Sequence, residues 1–486
     1  MMNAQSMPLW TGEEACAAMQ ARSIGPLPAR IEGISIDTRS LKPGDLFFAI
    51  TGDARDGHDF VVQALEKGAA AAVIARDRAE ALATACESLP GALFVVPDTL
   101  TAMEDLGRAA RARSDARIIA ITGSVGKTGS KEAMRLLLSR SGRTHASAAS
   151  YNNHWGVPLT LARMPRDTQY GVFEIGMNHA GEIAPLARMV RPDVAIVTTV
   201  EAVHIEHFHS VSGIADAKGE IFLGLEPGGV AVINRDNPHF ERLRAHALAS
   251  DAGRVVCFGE SEGADVRALR IIAKQDMTIV DARVFETPLT YRVGMVGRHV
   301  AINSLGLVAA IHALGLDLAL AALALGDLTP PTGRGARDLL AFNGGELLLV
   351  DESYNANPAS MRAALETLGQ TEIGFRGRRI AVLGDMLELG DSGPAAHGEL
   401  AHSVIGNGVD LVFAAGPLMK NLMAALPPER RGGYANLATG LEGVVVAALR
   451  AGDVVMVKGS RGIRMERIVE AVKKRAGTGS ALAQEG

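Results

Sequence analysis

The sequence predicts an α/β chain of three domains: a small N-terminal α/β domain (residues 1–114), a central, mostly parallel sheet domain of the phosphate-loop type (115–328) and a C-terminal Rossmann-like domain (329–486). Three observations predict it. Short apolar runs alternate with helical stretches along the chain, the pattern of buried, largely parallel strands. An apolar strand, Arg117-Ile-Ile-Ala-Ile121, leads straight into the glycine-containing turn Thr122-Gly-Ser-Val-Gly-Lys-Thr128 and a helix. The turn formers of Asp327-Leu-Thr-Pro-Pro-Thr-Gly-Arg-Gly335 then interrupt the pattern before it resumes. At 486 residues the chain exceeds one hydrophobic core, which requires several packed units.

The elements follow in order. In the first domain Leu46–Ile50, Ala70–Ile74 and Leu93–Val96 are apolar runs between Gly/Asp-rich turns, followed by a charged helical stretch through Leu106–Arg113. In the second, Val172–Ile175, Val194–Val200, Val230–Ile233 and Val255–Phe258 continue the sheet begun at Arg117. In the third, Leu347–Val350, Ile380–Leu383, Leu411–Ala414 and Val454–Val457 read as parallel strands. The tail Ala476–Gly486 is small and polar, which favours fraying over packing.

Composition excludes several classes. Hydrophobic residues at 48% and charged residues at 21% describe a packed globular protein rather than a disordered or fibrous one. A net charge of −5 without a long Lys/Arg run argues against nucleic acid as a partner. Cys16, Cys86 and Cys257 lie far apart with no CxxC spacing, so neither a disulfide framework nor a thiolate zinc site is predicted. Met1–Trp10 shows no basic stretch followed by an apolar one, and no apolar run approaches bilayer length. The expectation is a cytoplasmic chain with no membrane span.

The phosphate loop carries the clearest chemistry. Thr122, Gly123, Ser124, Val125 and Gly126, between strand and helix, would aim backbone N–H groups and a helix N-terminus at a polyphosphate. Lys127 would neutralise phosphate charge, and the Thr128 hydroxyl would ligate magnesium, so ATP is the expected ligand. Ile121 occupies the first glycine position of the longer phosphate-loop pattern, leaving the shorter form that begins at Thr122. No GxGxxG follows an early strand, which argues against a Rossmann dehydrogenase.

Glu174, at a strand end, would emerge at the carboxyl edge of the sheet that carries the phosphate loop, where a magnesium ligand is useful. Another strand leads into Thr198-Thr-Val-Glu-Ala-Val-His-Ile-Glu-His-Phe-His209. His204, His207 and His209 raise zinc as a rival, but their spacing matches no helical metalloprotease motif and no cysteine supports it. Lys218, on its own, reads as an exposed helical lysine.

Together, Thr122–Thr128, Glu174, His204 and Lys218 resemble the Mur ligase family over nearly the whole chain. Ser35-Ile-Asp-Thr-Arg39, Asp56-Gly-His58, Tyr151-Asn-Asn153, Asp351-Glu-Ser-Tyr-Asn-Ala-Asn-Pro358, Gly384-Asp-Met-Leu-Glu-Leu-Gly390 and Lys458-Gly-Ser-Arg461 direct the likeness to the branch that adds D-alanyl-D-alanine to a UDP-N-acetylmuramoyl-tripeptide. The resemblance implies that the first domain holds the UDP end of the substrate through Ser35, Asp37, Thr38, Arg39, Asp56 and His58, with Asn152 and Asn153. It implies that Asn303 reads adenine, that Asp351 holds the ribose and that Arg334 reaches ATP phosphate. By the same likeness Lys218 is carbamylated and, with Glu174, Thr128 and His204, surrounds two magnesium ions. Asn355, Asn357, Lys458 and Arg461 are the candidates for the dipeptide. Gly129, Thr199 and Val300 depart from the residues usual in the family at those positions.

The implied reaction is amide-bond formation through an acyl phosphate, with no enzyme nucleophile, a monomeric enzyme and closure of the third domain onto the second. A third-residue ligase or a folylpolyglutamate synthase would share the phosphate loop and the lysine, but the Asp351–Pro358 segment argues against both. A nucleotide-binding switch is the reading from another class; substrate-dependent phosphate release separates it. Whether the tripeptide ends in diaminopimelate or lysine stays open.

Overall fold

The computed structural model describes residues 7–52, 55–148, 150–203, 205–208 and 210–482, and its strands form three sheets. The first contains β1 (Arg22–Ile24), β2 (Gly33–Ser35), β3 (Asp45–Phe48), β4 (Ala71–Ala75) and β5 (Ala92–Val96), in the order β1-β5-β4-β3-β2. All pairs are parallel except β1 with β5. Every residue of β3 and β5 is buried, as expected of strands covered on both faces.

The second sheet contains β6 (Arg117–Thr122), β7 (Thr144–Ala146), β8 (Tyr170–Glu174), β9 (Val194–Val197), β10 (Val230–Asn234), β11 (Arg254–Gly259), β12 (Val266–Ala273), β13 (Thr278–Val284) and β14 (Thr287–Val293). Their order is β14-β13-β12-β11-β10-β9-β6-β8-β7. Pairs from β7 to β12 are parallel, and β12, β13 and β14 add an antiparallel extension. That extension alternates buried and half-buried positions along β13, so it lacks the continuous apolar runs by which the other strands were read.

The third sheet, β15 (Ala336–Phe342), β16 (Gly345–Glu352), β17 (Arg379–Gly384), β18 (Leu411–Ala415), β19 (Arg431–Ala435) and β20 (Val454–Lys458), is ordered β15-β16-β20-β17-β18-β19. It is parallel apart from the β15–β16 hairpin. One expectation is corrected here. The C-terminal helix runs Glu466–Leu482, and Ala476, assigned to a fraying tail, is buried against the third sheet, because Ile468, Val469, Val472 and Ala476 form one apolar stripe.

The first and second units share a core. Helix Gly156–Ala162 lends Leu159 and Ala162 to the apolar cluster under the first sheet, and Trp10 Nε1 donates to Ala162 O at 2.9 Å. The Arg113 guanidinium lies 3.3 Å from the Trp10 ring centre, covering the indole that this bond orients.

Candidate active site

The carboxyl ends of β6, β8, β9 and β10 meet at one edge of the second sheet, where loops leave the sheet and ligands bind in open α/β folds. At the end of β6 the chain turns through Gly123 (φ +151°) and Gly126 (φ +85°) into helix Lys127–Ser139. A Cβ on Gly123 would collide with the Thr198 hydroxyl, and one on Gly126 would stand 2.5 Å from Asn303 Nδ2, so both positions need glycine. Among the described residues no side chain caps this helix, which leaves its first N–H groups for an anion.

The loop after β9 laces the turn together. Thr198 Oγ1 donates to Val125 O at 2.6 Å, Ser124 N donates to Thr199 O at 2.8 Å, and Ser124 Oγ donates to Glu201 O at 3.0 Å. Thr199 is held in turn by Asn237 Nδ2 at 3.0 Å. Lys127 Nζ donates to Gly123 O at 2.6 Å. Burial lowers the Lys127 amine below its ordinary range; Glu174 opposes that shift and Arg334 adds to it, so these three charges feel one another.

Glu174, 2% exposed, ends β8. Its Oε1 accepts from Asn152 Nδ2 at 2.7 Å, while its Oε2 is buried and finds no hydrogen-bond partner among the described residues. Such an orphaned carboxylate oxygen is costly unless something positive meets it. Thr128 Oγ1 stands 3.4 Å from Ser150 Oγ. Lys218, also 2% exposed, sits on helix Val211–Gly219, and the described residues give its amine no hydrogen-bond or ion-pair partner. Burial, then the charge of Lys127, hold it well below the ordinary amine range. His204 and His209 lie outside the described residues. Among the described residues no three His, Cys, Asp or Glu side chains cluster as a metal site.

A cavity of about 710 Å³ opens between the second and third sheets. Ser124–Thr128, Asn152, Asn153, Glu174 and Asn303 line it from one side, and Arg334, Asn355, Asn357 and Lys458 from the other. Arg334 lies 4.3 Å from the Tyr354 ring centre, and Arg461 Nη1 donates to the Tyr354 hydroxyl at 3.2 Å. Lys458 Nζ is engaged by Glu352 at 3.1 Å and Asn355 O at 3.0 Å. Asn357 caps helix Pro358–Gln370 by accepting from Ser360 N at 2.9 Å.

Other predicted residues lie apart from this cavity. Asp351 is buried and accepts from Ser353 N and Oγ at 3.0 and 2.6 Å; its neighbour Glu352 lines the cavity instead. Lys218 does not line it. In the first unit Ser35 Oγ donates to Asp37 O at 3.0 Å and Thr38 Oγ1 to Gln63 Oε1 at 2.8 Å. Arg39 pairs with Asp37 at 2.6 Å and holds that carboxyl down to about 2. His58 Nδ1 donates to Asp56 at 2.6 Å while its Nε2 accepts from Ala75 N at 3.0 Å, which occupies both ring nitrogens. Ser150, Glu201 and Tyr354 are not among the residues predicted from sequence, although Ser150 adjoins the Tyr151–Asn153 motif and the other two lie within quoted stretches.

The family profiles described as "Mur ligase family, catalytic domain", "Mur ligase middle domain" and "Mur ligase, glutamate ligase domain" match residues 30–111, 121–311 and 341–461. The UDP-N-acetylmuramoyl-tripeptide--D-alanyl-D-alanine ligase of Escherichia coli is 33% identical over 91% of this chain and 94% of its own length. The ligase of the same name from Rickettsia prowazekii is 30% identical over 90% and 94%. Among solved structures, MurF from Acinetobacter baumannii superposes with a TM-score of 0.83 at 28% identity, covering 96% of this chain and 99% of its own. The MurF ligase of Thermotoga maritima in complex with ADP gives 0.76 at 25% identity, covering 92% and 98%. A glycine turn into a helix and a strand-end carboxylate at one sheet edge, with a buried lysine on helix Val211–Gly219 and a cavity shared with the third sheet, are thus found in a chain that belongs to the Mur ligase family of ATP-dependent amide-bond ligases.

Proposed function

We propose that this chain joins D-alanyl-D-alanine to a UDP-N-acetylmuramoyl-tripeptide with cleavage of ATP, through an acyl phosphate, giving the pentapeptide precursor of peptidoglycan, ADP and phosphate. The single observation that carries this is a cavity lined on one wall by the phosphate loop and on the other by Arg334, Asn355 and Lys458. Relatives named for this activity match the chain over nearly its full length. Residues 1–114 would hold the UDP end, 115–328 ATP, and 329–486 the dipeptide. The tripeptide carboxylate attacks the γ-phosphate, ADP leaves, and the amine of the dipeptide then attacks the activated carbonyl with loss of phosphate. Lys127 and Arg334 would stabilise phosphate charge from opposite walls, since phosphoryl transfer asks mainly for positioning and electrostatics.

The donor set fits magnesium, which takes few protein ligands and keeps its waters and substrate phosphates. Thr128 and the orphaned Oε2 of Glu174 would hold it; His204 and a carbamate on Lys218 are added to that set by the family resemblance alone. Magnesium there would neutralise charge building on the transferring phosphate. The depressed Lys218 amine favours the neutral form, whose lone pair adds to carbon dioxide with loss of a proton. No described helix is long and apolar enough to cross a membrane, and three free cysteines fit a reducing cytoplasm.

The test is phosphate release by purified protein with UDP-N-acetylmuramoyl-tripeptide and D-alanyl-D-alanine, separately and together, and the product identified by mass. Turnover that needs both and yields the pentapeptide is the expected result. Release that ignores both substrates would overturn this specificity.

A further inference from the structure

Lys131 follows the phosphate loop by one helical turn, yet its side chain is fully buried, at 0% exposure, and does not line the cavity. Lysines reach that burial only when paired. Its ammonium lies 2.6 Å from Glu132 Oε1 and donates to Ser147 O at 2.8 Å. Glu132 is anchored in turn by Arg135 Nε at 3.0 Å. An apolar side chain of similar length would pack at least as well, because the desolvation cost of a buried ammonium commonly cancels the Coulombic gain from its half-exposed partner. What the charge adds is a fixed attachment.

That attachment has a defined other end. Ser147 begins the segment between β7 and helix Gly156–Ala162. The same segment sets Ser150 Oγ 3.4 Å from Thr128 Oγ1, and brings Asn152 Nδ2 to 2.7 Å from Glu174 Oε1. Gly176 N clamps it again by donating to Asn152 O at 2.8 Å. Thus one buried cation links the helix that carries Thr128 to the segment that orients Glu174, the two groups offered to a cation.

We infer that Lys131 is a positioning residue for metal-nucleotide binding: by holding Ser147, just before Ser150 and Asn152, against the phosphate-loop helix, it fixes the separation and orientation of Thr128 and Glu174. It touches neither nucleotide nor metal itself. The inference rests on the reading of this cavity as a metal-nucleotide site, but not on which acyl acceptor the enzyme uses, so its test needs no ligase substrate.

The experiment is calorimetric binding of ADP to the full chain, with magnesium and with chelator, for wild type and Lys131→Met, a substitution that keeps the length and removes the charge. The expected result is that Mg·ADP binding weakens by about tenfold, the lower range for supports of metal ligands, while ADP with chelator weakens by less than about threefold. Equal weakening of both would mean a general loss of structure and overturn the assignment, as would unchanged Mg·ADP affinity. If Lys131→Met does not fold, Ser150→Ala, which leaves the Lys131–Glu132 pair intact, should shift the magnesium dependence of ADP binding in the same direction by severalfold. An unshifted dependence there overturns the proposal. Failure of wild type to bind Mg·ADP at all would instead sink the nucleotide-site reading beneath it.

Discussion

Gly126 and Asn303 meet where the phosphate loop enters its helix, and that contact makes a single methyl group consequential. In Gly126→Ala the new Cβ would stand 2.5 Å from Asn303 Nδ2 at a φ of +85° that L-residues avoid. The expected outcome is a KM for ATP raised by about tenfold, equivalent to ~1.4 kcal/mol, with an unchanged circular dichroism spectrum. Lys218→Met removes the buried amine and should lower kcat by roughly 10²-fold, the scale of losing one preorganised electrostatic group. The intact mass of wild type under neutral conditions should exceed that of the acidified protein by one carbon dioxide; equal masses would refute the carbamate. At this scale the phosphate loop and Glu174 were legible because strand, turn and helix follow one another in the chain. The Asn152–Glu174 bond was not, since its partners come from separate segments that only packing brings together.

The Gly384–Gly390 segment is one of the stretches that carry the family likeness, and the structure gives it an architectural task. Asp385 accepts from Leu418 N and Met419 N at 3.1 and 2.9 Å, holding the start of helix Met419–Ala425. His397, fully buried on helix Gly393–Gly406, accepts from Met386 N at 2.9 Å through Nε2 and donates from Nδ1 to Gly393 O at 2.6 Å. Burial holds its imidazole below the ordinary value of 6.5. The unfolded chain therefore binds the proton more readily, and the stability linked to neutral His397 is present above 6.5 and lost as pH falls through the folded value. His397→Ala should flatten the acid side of a melting-temperature profile and cost about 1–3 kcal/mol at neutral pH, because Met386 N–H is left buried and unpaired. A profile unchanged in shape would count against this assignment.

Across the molecule, the cavity is lined by residues of both the second and the third unit. Arg362 of helix Pro358–Gln370 reaches Glu201 of the phosphate-loop lacing at 3.8 Å, and Arg337 donates to Gln275 O beside the antiparallel extension. Burial raises the Glu201 carboxyl above its usual range, with Arg362 and then His239 opposing. Arg362→Glu sets like charges across this contact. Its side chain is half exposed, so stability should change by less than about 1 kcal/mol, while the KM values for ATP and the dipeptide rise together severalfold. Steady-state kinetics varying each substrate checks this, and a rise confined to one of them would tie Arg362 to that substrate alone.

The sequence by itself determined the three α/β sheets, the phosphate loop and the family, because continuous apolar runs and a strand–turn–helix signature are local properties of the chain. It missed the hairpins over 266–293, whose alternating burial leaves no apolar run, and misread the tail through Ala476, whose packing partner lies far away in sequence. Only the tertiary structure decided that Lys218 is buried rather than exposed, that Glu352 rather than Asp351 faces the cavity, and that Lys131 ties two segments of the site together. The reason is the same in each case: burial and charge pairing belong to contacts between distant segments, and no local pattern encodes them.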